Sequence, residues 1–153
     1  MTVRGTGAYR PWCHHPERYS APLTVTDGVP RLVRRVVRAC LDLWGAPGLA
    51  DAAELAATEL IANVARHVPD RRCLLTVERR LPAGVRVEVR DGAPALPPPP
   101  RAAGPEEESG RGLALVALIT DAWGVLPHPE GGKTVWFELA AESPPGGEGR
   151  RNV

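Results

Sequence analysis

Glu59, Asn63 and His67 stand four residues apart in the segment Glu59-Leu-Ile-Ala-Asn63-Val-Ala-Arg-His67. On a helix that spacing stacks them in one stripe. A carboxylate there can take a proton from an attacking hydroxyl or water. An Asn side-chain oxygen can complete the octahedral shell of a Mg²⁺ ion held mainly by phosphates. His-Glu-x-x-His is absent, which removes a zinc-protease reading.

A second group, Val89-Arg90-Asp91-Gly92, ends an alternating run in which Val85, Val87 and Val89 oppose Arg86, Glu88 and Arg90. Asp91 continues the apolar parity and is expected on the buried side. An acceptor there suits the exocyclic amine of adenine, where guanine would set its own acceptor against the carboxylate. Gly92 permits close backbone approach. The third group, Gly110-Arg111-Gly112-Leu113, opens an apolar helix. Unpaired N–H groups and the helix dipole favour anions at such a start, and Arg111 adds charge. Thr134 begins the last strand after Gly131-Gly132-Lys133, and its hydroxyl could bridge to the base and Asp91, although its face of that strand is open. Taken singly these pieces are a helix flank, an Asp-Gly turn, a helix start and a strand threonine. Their order and spacing together describe a nucleotide pocket. The pocket is neither a Walker A loop, lacking Gly-Lys-Ser/Thr, nor a Rossmann turn, lacking the preceding strand.

The elements that must position these residues follow from periodicity. Residues 1–20 show no period and are expected to be irregular. Leu23 to Val25 reads as a short edge strand. A first helix, capped by Thr26 or Asp27 with Pro30 in its first turn, carries Leu32, Val33, Val36, Val37, Cys40, Leu43 and Trp44 on one face. Arg31, Arg34, Arg35 and Arg38 line the other and read as a solvated stripe or a surface for an acidic partner. Asp51 with Glu54 resembles a capping box for a second helix running to about Val68, with Leu60, Ile61, Val64 and Val68 as its core face. Strands are predicted over about 73–80, 85–91, 123–127 and 134–140. A Pro- and Glu-bearing loop over 92–109 reads as a lid or a disordered segment. The helix after it, 110–122, is apolar nearly all round and is expected to be buried. Hairpin-length turns make both strand pairs antiparallel. The predicted fold is an α/β two-layer sandwich, a mixed, mainly antiparallel sheet with about three helices on one face. Domain organisation reads as an irregular segment 1–20, one domain over 21–140 and a disordered tail 141–153.

The chain has 153 residues and net charge +1, enough for one sizeable core. Near-neutral charge argues against direct nucleic-acid binding. No apolar run approaches the roughly 20 residues of a membrane span, and the N-terminus lacks the apolar core of a signal peptide. A cytoplasmic location is the default expectation. Lys133 is the only lysine, so any Schiff base or lysine phosphate clamp would have to use it. Cys13, Cys40 and Cys73 give no Cys-x-x-Cys pair and no disulfide framework. Cys13-His14-His15 reads as a polar surface segment rather than a metal site.

In combination these residues resemble the GHKL superfamily, the ATPase fold of gyrase, Hsp90, histidine kinases and MutL. Within it they look most like the stand-alone anti-sigma-factor serine/threonine kinases and related actinomycete regulators. The resemblance covers about residues 20–140. Glu59–His67 looks like the family's N box, Asp91-Gly92 like its first glycine box, and Gly110-Arg111-Gly112-Leu113 like its second. Trp123-Gly124 and Gly132-Lys133-Thr134-Val135-Trp136 look like the closing strands of that subgroup. The resemblance implies a Bergerat fold that binds Mg-ATP. By carry-over Glu59 would be the general base, Asn63 the Mg²⁺ ligand and Asp91 the adenine contact. Gly110 and Gly112 would hold phosphates beneath the lid, and Thr134 would support the base. The implied partners are a sigma factor and an antagonist protein carrying the acceptor serine or threonine; a homodimer is compatible. Pro94 departs from the pattern, standing where the first glycine box usually has a second glycine, and it favours the alternative of a non-catalytic, ATP-dependent interaction switch. A sensor histidine kinase fragment would need phosphoacceptor-bearing dimerisation helices that this sequence does not show.

Overall fold

The structure, a computed structural model, describes residues 13–15, 17–94 and 108–141, with 13–15 and 108–111 described by backbone alone. In chain order the elements are β1 (Cys13–His15), β2 (Arg18–Thr24), α1 (Val29–Leu43), a 3-10 turn (Pro47–Leu49), α2 (Ala50–His67), β3 (Arg72–Arg80), β4 (Gly84–Asp91), α3 (Glu108–Ile119), β5 (Ala122–Pro127) and β6 (Lys133–Ala140). The strands form one six-stranded sheet in the order β1-β2-β3-β4-β6-β5, and every pairing is antiparallel. Three helices cover one face and share its core. The sandwich is the predicted one, with a sheet that is antiparallel throughout rather than mixed.

The sheet's inner face is built by alternation. Leu75, Val77, Val85, Val87, Val89, Val135 and Phe137 are buried, and their cross-strand partners place them on the same side. Strand β2 is longer than expected and is interior, between β1 and β3. Its apolar period is faint because only Ala21 is fully buried while Tyr19 and Leu23 are half-buried. That is why the segment before Leu23 read as irregular. The parts of that segment over 1–12, and the tail from 142, lie outside the described residues.

Helix α1 buries Val33, Val37, Cys40 and Leu41, an i, i+4, i+7, i+8 set. Leu32 and Leu43, assigned to the core face from sequence, are 42% and 78% exposed, and Leu41 takes their place. Neither Thr26 nor Asp27 caps this helix by its side chain; Gly28 is the N-cap, and the Thr26 carbonyl accepts from Val29 N–H at 3.0 Å. The Asp51/Glu54 capping box also does not form. The 3-10 turn feeds directly into Ala50, which places Asp51 within the first turn of α2 rather than at its cap. Both carboxylates instead accept hydrogen bonds from Arg38 on α1. One member of the arginine stripe is therefore an interhelical tie. Helix α3 is not buried all round: Leu113 and Val116 are buried, Leu118 is 81% exposed, and the helix packs on α2 and β5.

Candidate functional site

Asp91 is the last residue of β4 and is 6% exposed, on the inner face as expected. Its register partners are Cys73 on β3 and Lys133 on β6. Lys133, 3% exposed, donates from Nζ to Asp91 Oδ1 at 3.0 Å. The Ala93 N–H donates to the same oxygen at 2.9 Å, closing a turn just past the strand. Burial first, and the negative charge of Asp91 second, push the Cys73 thiol up to about 12. Gly132, at φ +83°, lies so close to this strand end that a Cβ there would collide with the Asp91 carbonyl oxygen. That approach is open only to glycine. Gly92 has no such constraint: its φ is not positive and a Cβ would meet nothing within 4 Å.

The helical stripe belongs to α2. The turn from Val68 to Arg71 is short, so the C-terminal end of α2 lies at the same end of the sheet as Cys73 and its partner Asp91. Asn63 is 5% exposed. Its Oδ1 and Nδ2 are buried and neither has a hydrogen-bond partner among the described residues, and the same is true of His67 Nε2. Unpaired buried polar atoms are rare in folded proteins and each asks for a cause. Glu59, half-buried, lies against α3: a Cβ on Gly112 would sit 2.8 Å from its Oε2. Glycine at 112 thus makes room for the carboxylate one turn into the third helix. That is a different service from offering a free N–H, because only the first N–H groups of a helix are unpaired.

Other expected site residues fall as follows. Thr134 does not reach Asp91. It pairs in register with Arg90, one residue off the Asp91–Lys133 pair and so on the opposite face, where its Oγ1 lies 2.7 Å from His128 Nε2. Leu113 is 1% exposed and belongs to the hydrophobic core. Gly110 lies within α3; the Arg111 side chain and the lid residues 95–107 lie outside the described residues. A cleft of about 570 Å³ opens at the Asp91 end of the sheet, walled by Thr24, Arg72, Cys73, Arg90, Asp91 and Gly92. Glu59, Asn63 and His67 do not line it. Another cleft, about 460 Å³, lies at the opposite end around Gly84 and Leu139.

Lys133 is the residue that sequence reasoning did not place in the site. The signal was present: the inward alternation of Leu139, Phe137 and Val135, extended back by two residues, lands on it. Among the described residues no group of three or more His, Cys, Asp and Glu could hold a metal. No helix among them is long and apolar enough to cross a membrane.

The two-layer sandwich thus carries Asp91 at a strand end on its inner face and the buried Asn63 amide on a covering helix. Residues 24–139, well over half of the chain, match the model of the histidine kinase-like ATPase domain, and the chain belongs to that family. Comparison with curated proteins finds no match. Membership makes ATP the nucleotide and the architecture a GHKL, or Bergerat, fold.

Proposed function

We propose that this protein is a Mg-ATP-dependent serine/threonine kinase of the anti-sigma-factor type, phosphorylating an antagonist protein and alternately binding a sigma factor. The observation that carries the reading is the Asn63 amide, buried with neither polar atom partnered among the described residues. Such atoms fit a bound hydrated Mg²⁺ and phosphate oxygens, which would supply the missing partners. With no acidic cage among the described residues, Mg²⁺ would rest on Asn63, water and the phosphates. When bound, Mg²⁺ neutralises charge on the transferring phosphoryl group.

The chain's own residues divide the remaining work. Asp91 receives the adenine amine. The first N–H groups of α3, around Gly110, would meet the phosphates, with Arg111 adding positive charge, while Gly112 leaves room for Glu59. Glu59 accepts the proton of the acceptor hydroxyl as its oxygen bonds to the γ-phosphorus and the bond to the ADP oxygen breaks. His67, with Nε2 unpartnered four residues beyond Asn63, lies along the same stripe.

Calorimetric titration of Mg-ATP and Mg-GTP tests the pocket: ATP binds, and GTP is rejected. Phosphotransfer is then followed with γ-labelled ATP in an extract of the host cells. A labelled serine or threonine band with wild type, absent with Glu59→Gln, is the expected result. Label transferred equally by the variant removes Glu59 as the base. Pro94, exposed just beyond β4, favours a second reading, a non-catalytic switch. It would give nucleotide-dependent partner binding with no label transferred.

A further inference from the structure

A buried ion pair is seldom a net source of stability, because desolvation of both charges offsets their attraction. The Asp91–Lys133 pair, with both side chains 3% exposed, therefore needs another purpose, and its geometry offers one. Both hydrogen bonds of the carboxylate fall on Oδ1, from Lys133 Nζ at 3.0 Å and Ala93 N at 2.9 Å. Oδ2 accepts none from the described residues. An ammonium carries three N–H donors, and Asp91 takes one of them. Asp91 thus keeps an acceptor oxygen, and Lys133 keeps N–H donors beyond the one Asp91 takes, side by side at the end of the sheet's inner face.

We propose that Lys133 is a base-reading residue: with ATP bound, Asp91 Oδ2 accepts from the 6-amine of adenine while Lys133 Nζ donates to ring nitrogen N1. The inference rests on the ATP reading above. The edge of a 6-aminopurine presents a donor next to an acceptor, which is the complement of this pair. Thr134, on the other face of β6, cannot share the task. A hydrogen bond from a charged donor is worth roughly ten- to a hundredfold in affinity.

The test uses the full chain, Mg-ATP and Mg-1-deaza-ATP, in which N1 is replaced by C–H. Wild type should bind the deaza analogue ten- to a hundredfold more weakly than ATP, and Lys133→Met should bind the two alike. Because Lys133 is the only lysine, lysine labelled at Cε gives one side-chain NMR signal in the unaltered protein. That signal should shift with ATP and shift much less with the deaza analogue at saturation. This second readout holds even where Lys133→Met fails to fold. Equal affinity of wild type for the two nucleotides overturns the proposal, as does a lysine signal unmoved by bound ATP or equal discrimination in a folded Lys133→Met. Tighter binding of Mg-GTP than Mg-ATP also overturns it, since the pair would then read a 6-oxo edge. No ATP binding to folded wild type overturns the ATP reading beneath it as well, whereas ATP binding with an unmoved lysine signal removes this inference alone.

Discussion

Replacing Asn63 by alanine should make the nucleotide-free protein more stable and the nucleotide-bound protein less responsive. Both polar atoms of the Asn63 amide are buried without partners among the described residues, and leaving such a group unsatisfied costs about 1–3 kcal/mol. Alanine removes that cost and also improves helix propensity inside α2 by roughly 0.5 kcal/mol. Against this stands a small cavity, worth about 1 kcal/mol for the few atoms deleted. The net expectation is a gain of about 1–2 kcal/mol, or roughly 3–6 °C in melting midpoint per kcal/mol for a domain of this size. In wild type, Mg-ATP at a hundred times its Kd adds about 2.7 kcal/mol. In Asn63→Ala that increment should shrink severalfold at the same nucleotide concentration. The assay is thermal unfolding followed by circular dichroism with and without Mg-ATP, and the two proteins should exchange rank on adding nucleotide. A lower midpoint for the nucleotide-free variant, or an undiminished response to Mg-ATP, would refute the assignment of Asn63 as a ligand held in waiting.

Gly132→Ala should destabilise the protein by more than about 1 kcal/mol, since the site combines positive φ with a Cβ driven into the Asp91 carbonyl; chemical denaturation measures it, and a neutral result would mean this turn relaxes freely. Gly112→Ala places a Cβ 2.8 Å from Glu59 Oε2, so the carboxylate must move: phosphotransfer should fall at least tenfold while ATP affinity changes less, read by comparing single-turnover rates with calorimetry. Burial pushes the Cys40 thiol up to about 11, and burial with the charge of Asp91 pushes Cys73 up to about 12. Both stay protonated in the folded protein where the unfolded thiols, near 9.0, ionise, so their contribution to stability is complete below pH 9 and is lost as pH rises from there towards 11 and 12. Iodoacetamide at pH 8.5 should accordingly label these two cysteines slowly until denaturant is added, and prompt labelling of either in the native state would contradict its burial.

Sheet and helices were legible wherever one period dominated. The run Val85-Arg-Val-Glu-Val-Arg-Asp91 alternates without a break, and β4 follows it with Asp91 facing inward. The failures lie where the local signal was weak or had two readings. Strand β2 has too little apolar side chain to announce itself, and only its pairing with β3 makes it a strand. Asp51 and Glu54 have capping-box spacing, but the 3-10 turn ahead of them moves the helix start and leaves both carboxylates to Arg38. Apolar content misled for Leu118, because a helix packed mainly on one neighbour needs only the stripe formed by Leu113 and Val116.

The floor of the site turns on parity rather than residue type. Thr134 and Lys133 are adjacent, so one of them must face the helices and the other the opposite side. Chemistry alone favoured threonine, the smaller hydroxyl, beside a base. The alternation of Val135, Phe137 and Leu139 favours Lys133, and register with Asp91 places it there. Burying the only lysine beside the Asp91 carboxylate changes how the proposed base contact can be tested. Asp91→Ala strands a buried ammonium, a loss of about 3–5 kcal/mol, so failure of that variant to bind ATP would not separate lost recognition from lost fold. The double variant Asp91→Asn with Lys133→Met leaves no charge unpaired and keeps the shape of the floor. If recognition rather than stability is what the pair serves, the double variant should melt no lower than wild type by more than a few degrees and should bind ATP at least tenfold more weakly.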